Sequence, residues 1–224
     1  WQIGCGDPTT VGAFEANWAP GPNLMATIQG IWGAAQAMLA DLPTDFTGRG
    51  TFVDVCEGTS TFFHEIYEVG TSGVMTGFAD GTFRPAAATS RQAMAAFLYR
   101  FRGEPAFAPT EQTFPDVPPS HRFYKEIEWA ASEGIVVGFG DGTFRPTAPL
   151  TRQALAAFLY RTVSPAPGFV PIGHFTDITP ANPFFFEIDW AASAGLVKGF
   201  GDGTFRPTAV APRQATAAVL VRAT

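Results

Sequence analysis

A chain of 224 residues that is 46% hydrophobic can bury a substantial core, and a net charge of −6 with only 15% charged residues excludes a chain-wide attraction for phosphate backbones or anionic lipid. No run of about 18 apolar residues is present, so neither nucleic acid nor a membrane span is expected. The 22 phenylalanines, with 24 glycines and 19 prolines, point to many short elements separated by turns.

In chain order, residues 1–50 form an N-terminal extension that begins at Trp1 instead of Met, as a processed product or a fragment would, with no basic stretch and apolar run left to read as a signal peptide. Within it Met25, Ile28, Trp32, Ala35 and Leu39 recur at steps of three and four. This spacing predicts an amphipathic helix of about 18 residues ending near Pro43. Its apolar face would pack on the rest of the chain, or on a neighbouring copy as a homo-oligomer or lattice contact. Cys5 and Cys56 are the only cysteines, and an isolated pair fits neither a zinc site nor a CxxC redox motif. One disulfide, and with it an oxidising extracellular setting, is expected; two buried free thiols are the alternative.

From residue 51 onward the chain repeats itself. GFADGTFRP occupies 77–85, and GFGDGTFRP occupies both 138–146 and 199–207. Asp80, Asp141 and Asp202 are 61 residues apart, as are Arg91, Arg152 and Arg213, and Ile66, Ile127 and Ile188. The openings TFVDV, TFPDV and HFTDI match as well, so three units run over 51–103, 113–165 and 174–224. The stretches GEPAFAPTEQ and SPAPGFVPIG between them are rich in Pro and Gly and read as linkers.

Each unit reads as helix, loop, helix. In the second unit Phe123, Ile127 and Ala130 or Ala131 share a helical face, and Gly134 is placed to end that helix in a left-handed conformation. Asp141-Gly142 suits a tight turn with positive φ, and Phe144 returns to the core as a peg before Pro146. Thr151 is a good N-cap for a second helix in which Leu155, Phe158 and Leu159 share a face, while Arg161 near its end suits the helix dipole.

The ordered motifs F-x-D-V/I, G-F-x-D-G-T-F-R-P and T-R-Q-A-x-A-A-F-L-Y-R, recurring three times over residues 51–224, closely resemble the S-layer homology (SLH) domain. The resemblance implies a mainly α fold, in which three helix-loop-helix repeats form a pseudo-threefold assembly with a central helical bundle and grooves between repeats. It also implies a secreted protein at the cell surface, cell wall or S-layer, held non-covalently by cell-wall polysaccharide, often pyruvylated. The binding residue best known in the family is the Arg of its T-R-A-E motif, which corresponds here to Arg91 in SRQA, Arg152 in TRQA and Arg213 in PRQA. An Arg in the first turn of a helix sits beside unpaired N–H groups and the positive end of the dipole, a natural receptor for carboxylate or phosphate. Trp129 and Trp190, at equivalent positions where the first unit has Glu68, are candidate sugar-stacking faces, with core packing the alternative.

Departures from the family pattern bear on the ligand. Ala93, Ala154 and Ala215 replace the Glu that closes a capping box, and Gln92, Gln153 and Gln214 lie one place earlier. Pro212 has no side-chain oxygen for an N-cap, so the third groove is expected to be ligand-poor. Arg84, Arg145 and Arg206 follow a core Phe in a tight loop and are expected to be structural.

Catalysis, metal and cofactor are not expected. One Asp per loop falls short of the roughly six to eight oxygens that calcium takes. Glu65, Glu126 and Glu187 are copies of one carboxylate, not the asymmetric pair that cleaves glycosides. His64, His121 and His174 occupy unrelated places, with no GxSxG, HExxH or Walker loop. Two functions remain: a glycan-binding anchor, or a structural subunit of a self-assembling surface layer or extracellular filament.

Overall fold

A computed structural model describes residues 52–163 and 167–224. Cys5, and so its pairing with Cys56, and the helix predicted to end near Pro43 lie outside the described residues. Six helices are present there: α1 Phe63–Thr71, α2 Arg91–Phe101, α3 Tyr124–Ser132, α4 Arg152–Val163, α5 Phe185–Ser193 and α6 Arg213–Arg222. Each repeat supplies two of them, and the only β-type pairing among the described residues is three isolated bridges. The fold is mainly α.

The helix pairs cross the repeat boundaries. α2 packs on α3, α4 on α5, and α6 returns to α1, so the second helix of each repeat pairs with the first helix of the next and the three repeats close into a ring. At the centre lie the residues two positions before each second helix. Leu150 N–H donates to Thr89 C=O at 2.7 Å, Thr89 N–H to Ala211 C=O at 3.0 Å, and Ala211 N–H to Leu150 C=O at 2.8 Å, a closed cycle of three backbone hydrogen bonds.

Around this cycle each repeat completes the helix start of another. A helix leaves its first N–H groups without intrahelical partners. Arg91 and Gln92 donate theirs to the carbonyls of Ala148 and Pro146 at 3.0 and 2.9 Å, Arg152 and Gln153 to Ala209 and Pro207 at 2.9 Å, and Arg213 and Gln214 to Ala87 and Pro85 at 2.9 Å. Side-chain caps add to this at Ser90, whose Oγ accepts from Ala93 N–H at 3.3 Å, and at Thr151, whose Oγ1 accepts from Ala154 N–H at 3.4 Å. Pro212 offers no such cap, yet α6 is closed by the same carbonyls of the neighbouring repeat.

The repeated loop is held from both ends. Phe83, Phe144 and Phe205 are fully buried pegs, and each packs on the Phe of its own F-x-D opening, Phe52, Phe114 or Phe175, with ring centroids 5.0, 5.2 and 5.1 Å apart. The Asp of that opening clamps the loop. Asp116 accepts from the N–H groups of Phe144 and Arg145 at 2.8 and 2.7 Å, and Asp54 and Asp177 repeat the arrangement at 2.7 Å throughout. These bonds hold Arg84, Arg145 and Arg206 at φ 58°, 56° and 57°, a left-handed conformation that costs a non-glycine residue about 1–2 kcal/mol. Gly138 is required for another reason: a Cβ there would lie 2.8 Å from the Phe114 ring and 2.9 Å from Thr143 C=O.

Two buried carboxylates fix the linkers on the helix pairs. Both oxygens of Glu128 accept from Thr113 N–H at 3.1 Å, and Asp189 gathers the N–H groups of Ile172, Gly173 and His174 at 2.7, 3.1 and 2.8 Å as well as His174 Nδ1 at 2.7 Å. Burial raises the pKa of Asp189, but the hydrogen bonds from His174 and Ile172 outweigh it and leave the group below the usual carboxylate value. A depressed carboxylate contributes stability that is present above its unfolded pKa, near 3.9, and is lost as pH falls through the folded value. The expected outcome is that amide exchange at Ile172 and His174 accelerates selectively below about pH 4 and that Asp189→Asn removes this pH dependence, as measured by hydrogen exchange.

Candidate functional site: the inter-repeat grooves

The three helix-start arginines occupy equivalent places, and each reaches into the loop of another repeat. Arg91 donates from Nε to Phe144 C=O at 2.7 Å and from Nη2 to Val137 C=O at 3.0 Å. Arg152 does the same to Phe205 and Lys198 at 2.7 and 2.8 Å, and Arg213 to Phe83 and Thr76 at 2.7 and 2.9 Å. The planar fork of a guanidinium suits two such carbonyls, which a lysine ammonium cannot hold together. Each group also lies over the ring of the core Phe at 4.6, 4.4 or 4.5 Å from its centroid. Burial pulls Arg91 and Arg213 down to about 10, which leaves both charged at neutral pH, and it lowers Arg152 as well.

One nitrogen of each is left over. Nη1 makes no hydrogen bond within the described residues, and no buried side-chain nitrogen there lacks a partner, so Nη1 faces solvent in a groove. Three grooves related by the repeat result. Arg213 lines one of about 460 Å³ with Phe78, Arg100 and Phe123; Arg91 lines one of about 270 Å³ with Phe139, Arg161 and Phe184; Arg152 lines one of about 190 Å³ with Lys198, Arg222 and Phe62. The groove of the Pro212 repeat, expected to be poor, is the roomiest of the three.

The aromatic faces differ from those singled out in the sequence. Trp129 and Trp190 are only 3% and 8% exposed, edge-on to Tyr99 and Tyr160 at 5.2 Å, and offer no open ring to a sugar in this structure. Phe78, Phe139 and Phe200 are 40%, 39% and 40% exposed and lie 5.0, 4.8 and 5.0 Å from the guanidinium carbons of Arg213, Arg91 and Arg152. The guanidinium groups of Arg84, Arg145 and Arg206 lie over these rings at 3.9, 4.0 and 3.8 Å. They also pair with Asp80, Asp141 and Asp202 at 2.8, 2.8 and 2.9 Å. Those Asp residues accept from Thr82, Thr143 and Thr204 as well, which holds the turn and, with the Arg, keeps their carboxyls well below the usual range.

A second triplet, Arg100, Arg161 and Arg222, closes the far end of each groove. Sequence reading placed only Arg161, and only as a partner of the helix dipole. The signal that could have found the set is the 61-residue spacing it shares with Arg91, Arg152 and Arg213.

Three helix pairs closed into a ring, with a guanidinium-lined groove between repeats, define a tandem-repeat α-helical domain. The chain belongs to the S-layer homology domain family, which matches residues 65–95, 113–156 and 174–214. It is 28% identical over 160 residues to Cell surface glycoprotein 1 of Acetivibrio thermocellus, covering 66% of this chain and 7% of that protein. The Cellulosome-anchoring protein of the same organism is 26% identical over 160 residues, covering 66% of this chain and 34% of that protein. An Endoglucanase of Bacillus sp. strain KSM-635 is 28% identical over 174 residues, covering 75% of this chain and 18% of the enzyme. The chain thus spans about a third or less of the length of these relatives. Its family is one of cell-surface proteins, and none of the described helices is long and apolar enough to cross a membrane.

The staple has a measurable consequence. Removing the fork in Arg213→Ala strands two carbonyls and is expected to cost about 2–4 kcal/mol, with Arg213→Lys recovering only part of it, as read from urea denaturation midpoints.

Proposed function

We propose that this chain anchors a secreted protein non-covalently to the bacterial cell envelope by binding acidic cell-wall polysaccharide in its inter-repeat grooves. The observation that carries the reading is the free Nη1 of Arg91, Arg152 and Arg213, a fixed donor beside a half-exposed Phe ring and a second cation. A carboxylate or phosphate on a sugar would take the guanidinium donors in charge-assisted bonds, and the ring would cover an apolar sugar face. An acidic protein can do this because the charge involved is local. The Cellulosome-anchoring relative, by its name, supports the same role.

The segment is a binding unit and not a catalyst in this reading. Two of the three repeated glutamates, Glu187 and Glu65, are engaged with Arg161 and Arg222 at 3.5 and 3.9 Å, and no differentiated pair of carboxylic acid and carboxylate is assembled from them. The likeness to an Endoglucanase covers 18% of that enzyme. Cargo in a longer precursor would supply any chemistry.

Co-sedimentation with purified sacculi that retain their wall polysaccharide is the test. The protein is expected to pellet, to pellet less as salt rises, and to stay in solution with sacculi stripped of that polymer. Pelleting no greater than that of an unrelated acidic protein would overturn the anchoring role.

A further inference from the structure

The three grooves share a plan but differ in what neutralises them. At the groove of Arg91, Arg161 is tied down by Glu187 at 3.5 Å and by Ile135 C=O at 3.4 Å. At the groove of Arg152, Arg222 reaches Glu65 at 3.9 Å and Leu196 C=O at 3.2 Å. In both, the helix-end cation already has a carboxylate from the first helix of another repeat.

The groove of Arg213 departs from this. The Arg100 side chain has no hydrogen bond and no ion pair among the described residues, and Glu126, the matching carboxylate, makes none with it. Arg122, which has Pro183 and Thr61 at the corresponding places, adds an exposed guanidinium over the Phe123 ring at 5.3 Å, again without an ion pair. Three guanidinium groups therefore converge on about 460 Å³. The Arg152 groove also gathers three cations, Arg152, Lys198 and Arg222, and no lining holds an Asp or Glu. What sets the Arg213 groove apart is that Arg100 and Arg122 have no carboxylate partner among the described residues. Thr76, Ser90 and Gln92 also line this groove, whereas the linings of the other two contain no hydroxyl or amide side chain. Excess positive charge favours an anion, and the hydroxyl and amide groups favour a polyhydroxylated one.

We propose that the grooves are not equivalent and that the Arg213 groove is the selective receptor for an anionic sugar, with Arg100 and Arg122 as its specificity-determining residues. In the other two grooves the helix-end cation is already paired with a glutamate, so they are the weaker anion sites. This rests on the anchoring reading above. It assigns recognition to side chains whose loss does not unstaple the repeats, since neither Arg100 nor Arg122 holds any backbone carbonyl.

The test uses the whole chain and sacculi that retain their wall polysaccharide. Arg100→Gln with Arg122→Gln is expected to weaken pelleting at least tenfold with no change in melting temperature, a clearly larger loss than Arg161→Gln causes, and Arg100→Lys is expected to retain most of the binding. Glu187→Gln, which frees Arg161, is expected not to reduce binding. Sacculi whose carboxylates are amidated distinguish the anion: abolished pelleting identifies a carboxylate, and persistent pelleting that inorganic phosphate competes away identifies a phosphate. Full binding by the double variant, an equal loss in Arg161→Gln, or pelleting insensitive to both amidation and phosphate would overturn groove selection. Failure of the unaltered protein to pellet would instead overturn the anchoring reading on which it rests.

Discussion

The fork from each helix-start arginine to two carbonyls of another repeat is the interaction on which the rest of the structure depends. A single repeat has two short helices, a half-covered core and a second helix whose first N–H groups lack partners. The neighbouring repeat completes all three: it supplies the carbonyls for those N–H groups, the Phe ring beneath the guanidinium, and the helix that pairs with the second one. Since the third repeat turns back to the first, no repeat is left with an open end. This is a closed version of the nearest-neighbour logic of repeat proteins, in which terminal units ordinarily need caps.

Closure also creates the site. The loop that receives the fork presents its half-exposed Phe at the same junction, so structural and candidate recognition groups lie within one side-chain length of each other. An alanine at Arg91, Arg152 or Arg213 therefore removes both a staple and a candidate ligand donor, and a binding defect in such a variant would not separate the two. Arg100 and Arg122 separate them, because they line a groove without holding the fold. The pseudo-symmetry is close in the staples and broken in the charges, a division under which one groove could specialise, as proposed, while all three repeats stay mechanically alike.

Much of the fold was legible as periodicity. The 61-residue spacing marked equivalent positions, Gly134 ends the first helix of its repeat at φ 68°, and Thr151 caps the second, as their chemistry suggested. The pegs at Phe83, Phe144 and Phe205 are buried where the turn returns the chain to the core. What could not be read was pairing between repeats. Spacing shows that positions are equivalent but not that α6 returns to α1, and a backbone carbonyl that accepts from an Arg leaves no mark in the sequence because every residue has one. For the same reason the Asp of F-x-D looked like part of an opening motif when it is the clamp that holds the next loop at positive φ. The indoles of Trp129 and Trp190 were ambiguous by nature, since the same ring suits a sugar and a core, and burial decides which is available.

The central claim is that the three repeats form one closed unit through their helix starts. Native-state hydrogen exchange at the amides of Thr89, Leu150 and Ala211 tests it most directly, because these three N–H groups make up the central cycle. In Arg91→Ala all three are expected to lose protection by the same factor, although the substitution unstaples only the junction of the first and second repeats. If one amide of the three loses protection while the other two exchange as in the unaltered protein, the repeats open independently and the closed ring is contradicted.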